Sequence, residues 1–228
     1  ECSSLTQITI PSSVTSIGDK VFYNCDSLTE ITIPSSVTSI GKGAFSECSS
    51  LTQITIPSSV TSIGDKVFYN CDSLTEITIP SSVTSIGKGA FSWCSSLTEI
   101  TISSSVTSIG NSAFYNCTSL KQITIPSSVT SIGENAFFNC RSLTQITIPS
   151  SVTSMDSNPF ANCSNLEKIF VNSKNPKYVS IDDVLFTKDI HTIICYACKN
   201  QRTKYTIPSS VTSIEDDAFS DCDSLEQI

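Results

Sequence analysis

Arginine is nearly missing from this chain. Only Arg141 and Arg202 occur in 228 residues, and Lys and Arg together number 13 against 21 Asp and Glu. Proteins that grip nucleic acid cluster such cations to neutralise phosphates, so a net charge of −8 argues against a nucleic-acid partner and equally against an anionic membrane surface. Histidine is rarer still, with His191 alone. No run approaches the roughly 20 consecutive apolar residues that a membrane-spanning helix needs.

These shortages bear on catalysis. Nucleophilic chemistry wants a nucleophile, a base and an orienting group converging in a pocket. Here the hydroxyls recur uniformly, the one imidazole lies in an irregular segment, and no carboxylate pair is set apart. The sequence is therefore expected to carry no catalytic residues, no metal site and no cofactor.

What the chain has in excess is repetition. Cys2, Cys25, Cys48, Cys71, Cys94, Cys117, Cys140 and Cys163 are spaced 23 apart, and so are Leu5, Leu28, Leu51, Leu74, Leu97, Leu120, Leu143 and Leu166. A fixed period of this size marks a solenoid, in which each coil covers the apolar face of the next. One unit reads L-T-x-I-T-I-P-S-S-V-T-S-I-G-x-x-A/V-F-x-x-C-x-S. Leu28 to Ile33 alternates apolar and polar residues as a strand with one buried face does, with Ile31 and Ile33 inward. Pro34 ends that strand because it lacks an N–H for the ladder, and the Ser pair after it suits a turn. Val37 and Ile40 form a second apolar pair. Ala44, Phe45 and Cys48 then fall at the spacing of one helical turn with its apolar side inward.

The pattern L-x-x-I-x-I-P-x-x-V-x-x-I-x-x-x-A-F-x-x-C resembles the BspA-like leucine-rich repeats, from Glu1 to Cys163 and again from Tyr205 to Ile228. The resemblance implies a leucine-rich-repeat solenoid: a right-handed superhelix with a parallel β-sheet on the concave face and short helical, 3-10 or irregular turns on the convex face. It also implies a protein displayed on, or released from, a cell surface, with a role in adhesion. On this reading residues 1–228 form one solenoid domain, with 23-residue coils over 5–165, an enlarged coil over 166–201 and a regular coil over 202–224. The sequence opens and stops in mid-repeat, so it is expected to be part of a longer array. Residues 1–46 recur unchanged as 47–92, and the first difference is Trp93 where the first copy has Glu47.

Partner contact is expected on the columns that the strands turn outward. One column is Gln7, Glu30, Gln53, Glu76, Glu99, Gln122 and Gln145, continued by Lys168. Its neighbour is Thr9, Thr32, Thr55, Thr78, Thr101, Thr124 and Thr147, continued by Phe170. Such a surface offers donors and acceptors to a protein, such as an extracellular-matrix or cell-surface protein, or to a glycan. Thr also suits strands for packing reasons alone. An alternative patch on the opposite side gathers Trp93, Tyr115 and Phe138, and self-association is open as well.

The cysteine column is expected to be reduced and inert, since a buried thiol behaves as a small hydrophobe and parallel Cβ vectors suit a disulfide poorly. Cys222 continues that column. Cys195-Tyr196-Ala197-Cys198 is read as lying outside the repeat register, as structural thiols, a disulfide or, least well, two ligands of a metal. Within the enlarged coil, Val184 to Thr187 and His191 to Tyr196 flank Lys188-Asp189-Ile190 and predict a hairpin. Two glycosylation sequons, Asn116-Cys117-Thr118 and Asn162-Cys163-Ser164, each have a column cysteine at the middle position.

Overall fold

Backbone pairing with a constant offset of 23 residues organises the molecule. A computed structural model describes residues 2–228 as a parallel β-solenoid of about nine turns. On one side, strands Gln7–Thr9, Glu30–Thr32 and Gln53–Thr55 pair in parallel, with Gln7 beside Glu30 and Glu30 beside Gln53. Glu76–Thr78 pairs with Glu99–Thr101, and Gln145–Ile148 with Lys168–Val171. A second strip is built from two-residue strands, Ser85–Ile86, Ser108–Ile109, Ser131–Ile132 and Ser154–Met155, again in parallel register. The expected parallel sheet is thus broken into short pieces rather than continuous. One break falls at Gln122 to Thr124, which forms no strand. In its coil Lys121 stands where most coils have Thr. Thr29, Thr52 and Thr98 donate their hydroxyls to the Thr carbonyl one coil back, a bond that Lys121 cannot make.

Identical residues fall on one another at every level of the interior. Phe22, Phe45, Phe68, Phe91, Phe114, Phe137 and Phe160 stack with ring centroids 5.3–5.7 Å apart and planes within 14°. That range lies inside the about 4.5–7 Å favoured by aromatic pairs. Leu, Val, Ile and Ala columns fill the space beside them, and most of their middle members are wholly buried. The Ser before the core Val contributes a strut in most coils as well: Ser82 Oγ donates to the Val60 carbonyl at 2.6 Å, and Ser36, Ser105 and Ser128 repeat the bond, whereas the buried Ser151 Oγ has no partner among the described residues.

The turn carrying Ala, Phe and Cys was expected to hold a helical turn, and no helix forms among the described residues. The reason lies in the backbone. Ala44 N–H closes a local turn onto Gly41 O, and Cys48 N–H onto Phe45 O, whereas Gly43, Phe45 and Glu47 donate to Asp65, Val67 and Tyr69 of the next coil. Left-handed residues at Gly43 (φ 61°) and Glu47 (φ 63°) stop each turn after one step. Donors therefore alternate between local turn and neighbouring coil, and a helix would use them all locally.

The cysteine column has a bonding role beyond packing. Cys94 Sγ donates to the Phe68 carbonyl at 3.1 Å, and the thiols from Cys48 to Cys163 each reach the Phe carbonyl of the preceding coil. Burial pushes the Cys48 and Cys94 thiols up to about 12 and raises those of Cys71, Cys117 and Cys140 well above the ordinary value of 9.0.

The enlarged coil departs from the sequence reading in three ways. The expected hairpin is present, Val184–Thr187 against Thr192–Tyr196, but Tyr178–Ile181 adds a third antiparallel strand. Cys195-Tyr196 lies within the repeat register rather than outside it. Tyr196 N–H donates to Ala218 O at 2.8 Å, the bond that each column Phe makes to the coil after it, and Thr192-Ile193 pairs with Ser213-Ile214. Lastly, Cys222 is no inert column member, for it forms a disulfide with Cys198, while Cys195 stays free and buried. A smaller core around Val184, Phe186, Ile193 and Tyr196 joins this segment to the last coil.

Two measurements follow from the stacking. A Cβ on Gly110 would lie 2.7 Å from the Gly87 carbonyl carbon, whereas one on Gly64 would meet its nearest neighbour at 3.7 Å. Gly110→Ala should cost about 1–3 kcal/mol in urea denaturation, the usual penalty of overpacking, and Gly64→Ala should cost nothing or stabilise slightly. In the unfolded chain the column thiols ionise near 9, whereas in the fold they stay neutral. The thiols' contribution to stability should therefore be constant below pH 9 and fall above it, by about 1.4 kcal/mol per pH unit for each thiol whose folded value has not yet been reached.

Candidate functional site: an outward Gln/Glu and Thr face

Strand alternation places Gln7, Glu30, Gln53, Glu76, Glu99, Gln122 and Gln145 in one exposed column, and Thr9, Thr32, Thr55, Thr78, Thr101, Thr124 and Thr147 in the next. The Ile residues between them are buried from Ile31 to Ile146 and half-buried at Ile8, which fixes the direction of the side chains on the face. Gln7 Nε2 donates to Glu30 Oε1 at 3.0 Å. Glu76 and Glu99 are direct partners across two paired strands, so two carboxylates stand side by side on consecutive coils. The columns bound shallow troughs. One of about 420 Å³ crosses the break between Gln53–Thr55 and Glu76–Thr78, and others of about 290 and 280 Å³ lie along Gln7 to Thr32 and Gln122 to Thr147.

The threonines divide into two sets with different duties. Thr29, Thr38, Thr52, Thr84, Thr98, Thr107 and Thr130 donate their hydroxyls to carbonyls of the preceding coil. Among the described residues, the hydroxyls of the column from Thr9 to Thr147 make no such bond. Internal structure accounts for the first set and leaves the second turned to solvent. At Lys168 and Phe170 the columns change character, and Phe170 is 46% exposed. Sequence reading included both residues without singling out that change.

On the other side the structure does bring Trp93, Tyr115 and Phe138 together. Tyr115 and Phe138 stack at 4.7 Å with planes 4° apart, and the Trp93 ring lies 6.1 Å from Tyr115 at a tilt of 42°. Trp93 is 42% exposed and sits at φ 67°, in the left-handed position where most coils place Asn, such as Asn70 and Asn116. A bulky residue there is unusual and costs on the order of 1–3 kcal/mol.

His191, the one imidazole, serves a turn. Asp189 accepts from the Thr187 hydroxyl and the His191 backbone N–H, which together hold its exposed carboxyl below the usual carboxylate range, and the imidazole Nδ1 lies 3.3 Å from the same carboxyl. No cluster of three metal-ligating side chains occurs among the described residues. The sequon residue Asn116 accepts a bond from Asn139, Asn162 accepts from Ser220, and the cysteine after each is buried. Both amides are engaged in joining coils.

A family model for the BspA type leucine rich repeat region matches six copies, over residues 1–98, 84–194 and 188–228. The chain belongs to the BspA-type leucine-rich repeat family. A leucine rich cell surface protein of Faecalibacterium prausnitzii is similar to this BspA-type chain at 34% identity, with a TM-score of 0.83, over 98% of this chain and 65% of the other. The T. pallidum leucine rich repeat protein is 31% identical with a TM-score of 0.65, over 71% and 78% of the two chains. Pneumococcal vaccine antigen PcpA is 27% identical with a TM-score of 0.62, over 94% and 52%. This BspA-type chain thus spans a little under two thirds of the Faecalibacterium protein and about half of the pneumococcal one. No curated protein matches it. Proteins of this kind generally bind other proteins and are typically non-enzymatic. No helix among the described residues is long and apolar enough to cross a membrane.

Asn tolerates the left-handed backbone that Trp93 occupies, and the tilted ring pair contributes about 0.5–1.5 kcal/mol. These effects oppose each other. Trp93→Asn should therefore leave the unfolding free energy within about 1 kcal/mol of the parent in urea titration, which makes it a usable probe of that patch.

Proposed function

We propose that this chain is a non-enzymatic surface or secreted binding module that adheres to proteins of a host or neighbouring cell through its Gln/Glu and Thr face. On this reading that face is the concave side of the solenoid, as the family resemblance implies. The observation that carries the reading is the contrast between the two threonine sets. Seven threonine hydroxyls of the flanking columns tie one coil to the next, while none of those from Thr9 to Thr147 does so, and these point outward beside a column of amides and carboxylates. Polar groups spaced evenly along a shallow trough suit an extended protein segment or a glycan better than a small molecule, which favours an enclosed apolar pocket. The Cys198–Cys222 disulfide supports an oxidising compartment, in keeping with a cell-surface or secreted location.

A second reading is favoured by the unchanged recurrence of residues 1–46 as 47–92. A duplicated module adds length without refining specificity, as a spacer or self-associating stalk would require. Biolayer interferometry against extracellular-matrix and plasma proteins separates the two. Changing Glu30, Glu76 and Glu99 to Lys inverts the charge of the face and should abolish saturable binding to a panel member. Binding that survives the triple change but disappears in Trp93→Asn would move the contact to the Trp93, Tyr115 and Phe138 patch. No binding to any member would favour the spacer.

A further inference from the structure

The column that follows each buried Phe reads Tyr23, Ser46, Tyr69, Ser92, Tyr115, Phe138. Where two successive members are aromatic, Tyr115 and Phe138, their rings stack at 4.7 Å. In the first 46-residue module a rung of this outer ladder is missing, because Ser46 stands between Tyr23 and Tyr69. The spacing of the coils concerned is given by the Phe column directly beneath, where Phe22–Phe45 measures 5.3 Å and Phe45–Phe68 5.7 Å. A flat ring at the level of Ser46 would therefore meet Tyr23 on one side and Tyr69 on the other at distances within the about 4.5–7 Å range of a favourable aromatic stack.

A cleft occupies this place. It measures about 250 Å³, has Gly43 and Ser46 among its lining residues, and is bounded by Tyr23 and Tyr69. Pockets for drug-sized ligands run to about 300–1,000 Å³, so this one suits a single side chain. The second module shows how the same scaffold treats a ring. Its sequence is the same up to Ser92, and the next residue, Trp93, lays an indole against Tyr115 at 6.1 Å. Forty-six residues earlier that position is Glu47, whose carboxylate accepts from the Tyr23 hydroxyl at 3.3 Å. The first module thus builds the slot without supplying the ring.

The charges around the slot describe what would bring one. Lys20 Nζ lies 5.5 Å from the centre of the Tyr23 ring and Lys66 Nζ 5.1 Å from that of Tyr69, and Lys42 also lines the cleft. Among the residues lining the cleft, three lysines stand against one carboxylate, that of Glu47. The Asp19 and Asp65 carboxylates, next to Lys20 and Lys66 in the chain, do not line the cleft and are turned onto the Lys42 and Lys88 backbone N–H groups at 2.8 and 2.9 Å. On a chain of net charge −8 this is a local excess of cations. We propose that the Tyr23–Tyr69 cleft is a receptor for one tyrosine side chain presented by an acidic segment of a partner polypeptide. The ring stacks between the two tyrosines and the flanking carboxylates pair with Lys20, Lys42 and Lys66. The site is separate from the Gln/Glu and Thr face and stands or falls independently of it.

Isothermal titration calorimetry of the whole chain with a capped Glu-Glu-Tyr-Glu-Glu peptide tests the assignment. Saturable binding is expected, weaker for the peptide with Ala in place of Tyr and for the one with Gln in place of Glu. The decisive variant is Ser46→Tyr, which restores the missing rung from within. It should lower affinity roughly tenfold or more, the equivalent of about 1.4 kcal/mol of lost stacking. Its melting temperature should be equal to or above that of the parent, since both neighbouring coils already carry Tyr at this position. A binding loss with intact melting therefore reports an occupied cleft and not a misfolded chain. The proposal is overturned if the parent shows no saturation at millimolar peptide, if Ser46→Tyr binds as the parent does, or if the Ala or Gln peptide binds equally well.

Discussion

Every residue of the regular coils lies beside its own equivalents 23 positions away, and that single registration controls the rest of the structure. A side chain is accepted at a given place only if it can stack on itself. Phe does so as offset parallel rings, Leu and Val by filling columns, and Ser, Thr and Cys by donating to a carbonyl one coil back. Backbone donors of the turns are shared between their own coil and the next, so no coil completes its hydrogen bonding alone. Stability is consequently a property of neighbouring pairs of coils. The same rule explains the glycines. At Gly110 and Gly133 the approach of the preceding coil leaves no room for a Cβ, and the column gives way to Asp156 where the array begins to change.

Most of this registration could be read from the sequence, because a period is visible without knowing any angle. Leu, Ile, Val, Phe and Cys positions identify the buried columns directly, and the polar residues alternating with Ile31 and Ile33 identify the outward face. The turn was less legible. Ala44, Phe45 and Cys48 have helical spacing, and only the left-handed backbone at Gly43 and Glu47 shows why no helix forms there. Nothing in a Lys, Glu or Trp announces such a conformation, although the Asn recurring at the position from Asn24 to Asn162 was an available hint. In the enlarged coil the reading failed for a different cause. Thirteen extra residues hid the fact that Thr192-Ile193 and Cys195-Tyr196 still occupy repeat positions, since the spacing between them is shortened. From Tyr196 the register is regular again, which sets Cys198 on the coil next to Cys222.

The outward face and the aromatic side of the molecule use repetition differently. On the first, uniform Gln, Glu and Thr columns present the same chemistry at every level, so a partner gains strength from length more than from any one contact. On the second, departures from the repeat carry the information. Glu47 against Trp93, Ser46 against Tyr69, and Ser92 against Tyr115 are the places where adjacent coils cease to be equivalent. Sites that recognise one partner over another need such inequivalence, because a perfectly periodic surface offers every register at equal energy.

The break in the sheet at Gln122 to Thr124 has a mechanical consequence. A filament tethered at one end and pulled at the other carries the load through its coil interfaces in series, and the interface with the fewest ties opens first. Two places on the outward strip share one weakness: between Gln53–Thr55 and Glu76–Thr78, and at Gln122 to Thr124, strand pairing is absent, the hydroxyl tie at Thr75 or Lys121 is missing, and the backbone bond of that residue to the preceding coil measures 3.4 Å. The last coil, by contrast, is fastened to the three-stranded segment by a covalent bond. Under tension the outward strip would part first at these two places and the C-terminal portion would stay whole, yielding extra length before any distal attachment is strained.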